Sequence, residues 1–122
     1  MKVLVFVALL GFASIFCQSN PERVITVEQL KQRLSAGDSN LIVLDVRTPD
    51  ELKGELGEIK DAINIPLQVL EEKLATLENV KDKEIAVVCR SGARSARATS
   101  ILVNAGFKAK NVSGGMLEYN RK

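Results

Sequence analysis

The chain reads as an α/β protein, with a mostly parallel sheet of about five strands and helices on both faces. Three observations predict this. Apolar, β-branched runs alternate with segments of helical period along most of the sequence. Two of those runs, "NLIVLDVR" at 40–47 and "EIAVVC" at 84–89, are continuous rather than alternating, as strands covered on both faces must be. The helical segments open on capping residues and close on glycine. A length of 122 residues, 46% of them hydrophobic and 26% charged, suits one globular domain with one core.

The first 20 residues stand outside that pattern, because "MKVLVFVALLGFASIFCQSN" is one lysine, an unbroken apolar stretch, and then small or polar residues. This is the pattern of a secretory signal, and the apolar part is shorter than the roughly 20 residues of a membrane-spanning helix. The expected organisation is a signal over 1–19 and a domain over 20–122, placing the domain in the periplasm or otherwise outside the cytoplasm. Cleavage after Ser19 removes Cys17. The alternative is a lipoprotein signal ending before Cys17, with that cysteine as lipid anchor, although Phe16 stands where a small residue is usual.

In the domain, Thr26 caps a helix over "TVEQLKQRLSAG", with Gln29 reaching back to complete a capping box and Gly37 as the stop. The strand "NLIVLDVR" follows, and "TPDEL" repeats the capping logic with Thr48 as cap, Pro49 at the first helical position and Glu51 closing the box. A loop leads to a short strand at "AINIP", stopped by Pro66. The leucines at 67, 70, 74 and 77 predict a helix over "LQVLEEKLATL". The strand "EIAVVC" and the helix "RSARATSILVNAG" come next, then a last short strand near "AKNV" and a turn at Gly114 and Gly115.

Without Met1 to Ser19 the domain carries 16 basic residues, the 17 of the whole chain less Lys2, against 15 acidic ones. That balance leaves no footprint for nucleic acid. There is no histidine and no cysteine cluster with ligand spacing, so no metal site is expected. Cys89 is then the domain's single thiol, in a compartment that oxidises thiols in pairs. A reactive group and a small buried hydrophobe both fit that count.

The surroundings of Cys89 favour reactivity. It ends a buried strand and precedes a helix, where ligands bind in open α/β sheets and where unpaired N–H groups favour an anion. A thiol so placed is more acidic than usual. Arg90 and Arg94 add positive charge, Gly92 permits a backbone nest of inward N–H groups around the sulfur, and Ser91 and Ser95 bring hydroxyls. The loop is suited to a thiolate and to an anionic substrate.

These residues carry a resemblance. "CRSGARS" at 89–95 resembles the active-site loop of single-domain rhodaneses, the sulfurtransferases, and "LDVRTPDEL" at 44–52 is similar to their "DVR.P.E" signature. "GEIKDAINIP" resembles the family's "GHI.GA.NIP", and "VSGGM" its closing "GG" segment. The four occur in the family's order across nearly the whole chain from Val24. The departures are Glu58 for the usual histidine, Lys60 and Asp61 for proline and glycine, and Tyr119 for tryptophan.

The resemblance implies a three-layer rhodanese-like fold. It also implies that Cys89 takes the outer sulfur of thiosulfate or another sulfane donor as a persulfide and passes it to a small thiol, cyanide or a thioredoxin-like acceptor. No cofactor is implied. Residues Arg90, Ser91, Gly92, Ala93, Arg94 and Ser95 would cradle the substrate, with Asp45 and Arg47 as structural support and Asn64 satisfying loop backbone. Two rivals are a non-catalytic rhodanese-like binding or sulfur-carrier module and a cysteine-dependent phosphatase or arsenate reductase. The phosphatases of this fold have a loop one residue longer than the four residues between Cys89 and Arg94.

Overall fold

The computed structural model describes residues 21–122; the expected export signal over 1–19, Cys17 included, lies outside the described residues. Five strands form one sheet in the order β1-β5-β4-β2-β3, every pair parallel. They are β1 (Val24–Ile25), β2 (Leu41–Asp45), β3 (Ile63–Asn64), β4 (Glu84–Val88) and β5 (Lys108–Val112). Four α-helices accompany them: α1 (Val27–Ser35), α2 (Pro49–Leu52), α3 (Ala93–Asn104) and α4 (Gly115–Tyr119).

The continuous apolar runs are β2 and β4, two of the three inner strands. In β4, Ile85, Val87 and the following Cys89 face a core closed by Ala98 and Leu102 of α3 and by Leu70 and Leu77. Ala86 and Val88 face the opposite core, with Val27 and Leu30 of α1 and Met116 of α4. The two-residue pleat therefore fixes the side on which the thiol emerges. It is the side covered by α3.

Four elements differ from the sequence expectation. β1, only two residues long, carries too little pattern to be anticipated. The strand expected at "AINIP" reduces to Ile63–Asn64. The helix expected over 67–77 winds as two 3₁₀ segments, Leu67–Val69 and Glu71–Val80. Its apolar side chains explain this: Leu67 and Leu70, and then Leu74, Leu77 and Val80, recur at steps of three, the period at which 3₁₀ side chains align. Finally, Gly114 and Gly115 are more than a turn, since both take left-handed backbone and start α4.

The capping box of α1 is complete, with the Gln29 N–H donating to the Thr26 hydroxyl at 3.1 Å and the Thr26 N–H donating to the Gln29 side chain at 3.0 Å. In α2 Glu51 closes the box expected from the sequence. The Glu51 carboxylate accepts from the Thr48 N–H and hydroxyl, both at 3.2 Å.

The strand order reverses about β2, so the crevice beyond the carboxyl ends of β2 and β4 is where a ligand is expected. A buried ion pair holds the β2 side of it. Arg47 and Asp45 are each 1% exposed, and the guanidinium bonds the carboxylate at 2.8 to 3.1 Å while also donating to the Gly57 carbonyl at 2.7 Å. The Asn64 amide donates to the Asp45 and Arg47 carbonyls at 3.0 and 2.8 Å.

Arg47→Ala leaves the Asp45 carboxylate buried without its partner and should cost about 3–5 kcal/mol, read as a fall in the urea unfolding midpoint. Asp61 is the one non-glycine residue with positive φ among those described, at 64°. Asp61→Gly relieves that backbone and should raise stability by roughly 0.5–1 kcal/mol in the same assay.

Candidate active site

Cys89 leaves β4 and enters a loop whose backbone is set from outside. The carbonyls of Cys89 and Arg90 accept from the Met116 and Leu117 N–H groups of α4, at 2.8 and 3.0 Å. A trans peptide carries its N–H opposite its C=O, so this pairing turns the Arg90 and Ser91 N–H groups away from α4. The approach requires glycine: a Cβ on Gly115 would lie 2.5 Å from the Cys89 carbonyl oxygen and 2.6 Å from that of Arg90. Gly92, at φ 106°, then folds the chain into α3.

The sulfur sits in the resulting cup. The Gly92 N–H donates to Cys89 Sγ at 3.1 Å, and Ser95 Oγ lies 3.3 Å from it. Burial of the residue, 1% exposed, pushes the thiol up. Hydrogen bonds offered to the thiolate by the Ser95 hydroxyl and by the backbone N–H groups of Ser95, Gly92 and Ser91 outweigh burial, and the thiol lies below its ordinary value. Ser95, fully buried, also contacts the Gly92 carbonyl at 3.1 Å and Asn111 Oδ1 at 2.5 Å.

The two loop arginines are not equivalent. Arg94 makes a two-pronged bond to Glu51, Nη1 to Oε1 and Nη2 to Oε2, each at 2.7 Å. That guanidinium, acting against the opposing effect of burial and with help from Thr48, holds the Glu51 carboxyl at about 2. Arg90 is exposed and has no side-chain partner among the described residues, so its charge is the uncompensated one. A cavity of about 330 Å³ opens beside it, bordered by Arg90, Glu51, Glu55, Leu56 and Leu117.

The sequence expectation thus meets the structure unevenly. Cys89, Gly92 and Ser95 converge on the sulfur, with the Ser91 N–H among its hydrogen-bond donors; Ala93 opens α3 without a polar side chain to offer. Arg94 is on the loop but turned to Glu51, a residue assigned in sequence only to helix capping. Asp45 and Arg47 form a buried pair at the end of β2, and Arg47 also borders the cavity beside Arg90. Glu58 is exposed and does not border the cavity, where Glu55 stands instead. Tyr119, at the tryptophan position of the resemblance, packs under Lys31, whose Nζ lies 4.7 Å from the ring centre.

An acidic thiol at the mouth of a parallel sheet, cradled by backbone N–H groups, defines a class of cysteine-loop α/β domains. Comparison with known proteins places this one within it. The Rhodanese-like domain matches residues 26–122, and the chain belongs to that family. A protein named sulfurtransferase from Allochromatium vinosum is 34% identical over 80% of this chain and 87% of its own length. Thiosulfate sulfurtransferase 18 of Arabidopsis thaliana is 38% identical over 87% of this chain and 85% of its own. The crystal structure of a rhodanese-like domain protein from Staphylococcus aureus superposes with a TM-score of 0.72 at 31% identity, covering 82% of this chain and 93% of that one. The tRNA uridine(34) hydroxylase of Photorhabdus laumondii is 32% identical over 88% of this chain, but this covers only 31% of that protein. Membership in a family with sulfurtransferase relatives therefore rests on most of the chain.

The Glu51–Arg94 pair has a pH signature. Because the folded carboxyl lies near 2 against an ordinary 4.5, the stability it contributes is fully present above pH 4.5 and is lost as pH falls through about 2. Glu51→Gln should flatten that acid limb. Thermal unfolding midpoints recorded from pH 5 to about 2 test this: the unsubstituted protein should lose more over the range than the variant.

Proposed function

We propose that the protein is a sulfurtransferase that carries sulfane sulfur as a persulfide on Cys89. The observation that carries this reading is the sulfur itself, buried yet hydrogen-bonded by the Gly92 N–H at the start of α3 and held below its ordinary pKa. The same donors suit both anions of the cycle, the thiolate and the terminal sulfur of the persulfide.

With thiosulfate as donor, the Cys89 thiolate attacks the outer sulfur. The S–S bond of thiosulfate breaks, sulfite leaves with the electron pair, and a persulfide remains on the protein. A small thiol, cyanide or the thiol of a thioredoxin-like protein then attacks the terminal sulfur, and the Cys89 thiolate departs unchanged. Every bond made or broken is to the transferred sulfane sulfur, with Cys89 alternately its nucleophile and its leaving group, so the cycle calls for no metal or organic cofactor. Arg90, uncompensated where Arg94 is paired, is the residue suited to meet an anionic donor at the mouth.

The reading extends to location. With residues 1–19 as an export signal, the domain works in the periplasm or beyond, as a soluble domain or anchored through an acylated Cys17.

Intact-protein mass spectrometry tests the chemistry. Thiosulfate should add one sulfur, about 32 Da, and cyanide should remove it as thiocyanate. Cys89→Ser should gain nothing. No mass gain with thiosulfate or with any other sulfane donor would overturn the proposal.

A further inference from the structure

The Ser95 hydroxyl has one proton and three acceptors within reach. They are the Gly92 carbonyl at 3.1 Å, Asn111 Oδ1 at 2.5 Å and Cys89 Sγ at 3.3 Å. Ser95 is fully buried, so water does not enter this competition. The far end of the Asn111 side chain identifies which end is which. Its Nδ2 lies 3.3 Å from the Gly92 carbonyl, which can only accept, so the amide places its NH₂ there and its oxygen against Ser95. An amide oxygen also only accepts. In the resting thiol, therefore, Ser95 donates to Asn111 along the shortest of its contacts and offers Cys89 a lone pair.

We propose that Asn111, reaching in from β5, is a positioning residue for the nucleophile: by holding the Ser95 hydroxyl proton it restrains the donor that would otherwise settle on the Cys89 sulfur. Ionisation of Cys89 then requires the hydroxyl to turn from Asn111 toward the sulfur, exchanging one hydrogen bond for another. With the Asn111 oxygen removed, the hydroxyl chooses between a neutral carbonyl and a thiolate. Bonds to a charged acceptor are about twice as strong, so the thiolate takes it. Asn111 thereby keeps a share of the resting cysteine protonated, and it does so through Ser95 alone.

The charges on the elements around the thiol are independent of this contact. Arg90 and Arg94 lie on its loop, with Arg94 tied to Glu51 of α2. Asp45 and Arg47 pair at the end of β2, Lys110 of β5 is turned to Glu84 at the start of β4, and Glu118 of α4 pairs with Arg121. None contacts Asn111 through a hydrogen bond or ion pair among the described residues.

This inference deepens the sulfur-transfer reading, yet its test needs no sulfur donor. The ionisation midpoint of Cys89 is read from thiolate ultraviolet absorbance against pH, with the Cys89→Ser protein as blank so that Cys17 and Tyr119 cancel. Asn111→Ala should lower the midpoint by about half a pH unit, and Asn111→Leu, which keeps the volume, should do the same. In a Ser95→Ala background the Asn111 substitution should have no effect. A midpoint that is unchanged or raised in both Asn111 variants overturns the inference, as does a fall that persists without Ser95. If the shift appears while thiosulfate adds no mass, Asn111 keeps its role and the sulfur-transfer reading fails.

Discussion

The approach of α4 to the loop after β4 is the constraint on which the site depends. Two hydrogen bonds, Met116 N–H to the Cys89 carbonyl and Leu117 N–H to that of Arg90, direct the loop's oxygens one way and its N–H groups the other. Without them the same sequence could offer the sulfur carbonyls, and a thiolate beside carbonyls would be disfavoured. Only a glycine at 115 allows the two backbones that close. The acidity of Cys89 is thus partly decided by a residue 26 positions downstream, by difference from 115 to 89.

Around this contact the fold contributes in layers. The parity of β4 sends Cys89 to the α3 side, the continuous apolar runs bury both faces of the sheet, and the Asp45–Arg47 pair stiffens the neighbouring strand end. A buried ion pair seldom adds net stability over an apolar replacement. Its use here is geometric, because one guanidinium ties Asp45 to the Gly57 carbonyl while Asn64 ties β3 to the same strand end. The crevice is held open by bonds that no ligand has to make.

What was legible in sequence is what is local. The Thr26–Gln29 box, the buried strands and the strand–cysteine–glycine–helix succession each reside within a dozen residues, where spacing alone carries the signal. The contacts that tune the site join distant segments: Arg94 to Glu51, Ser95 to Asn111, Gly115 to Cys89. Glu51 already had a local explanation as a helix cap, and Asn111 sat in a polar strand resembling any sheet edge. The 3₁₀ segments pass for an α-helix in sequence because leucines at 67, 70, 74 and 77 satisfy a helical stripe, while Val80, beyond them, completes the steps of three.

The pairing of Arg94 also bears on how a sulfur carrier is balanced. In the proposed cycle thiolate and persulfide each carry one negative charge, one atom apart, so a site that holds both equally well places no electrostatic penalty on either half. An unpaired Arg94 would favour whichever state brought a further anion with it, such as bound donor or departing sulfite, and would slow release. Bound to Glu51 at both nitrogens, it gives the loop shape while contributing little net charge. On the proposed reading, recognition of an anion then falls to Arg90, exposed at the rim, and stabilisation of the sulfur to backbone N–H groups whose dipoles do not change as the charge moves outward by one atom.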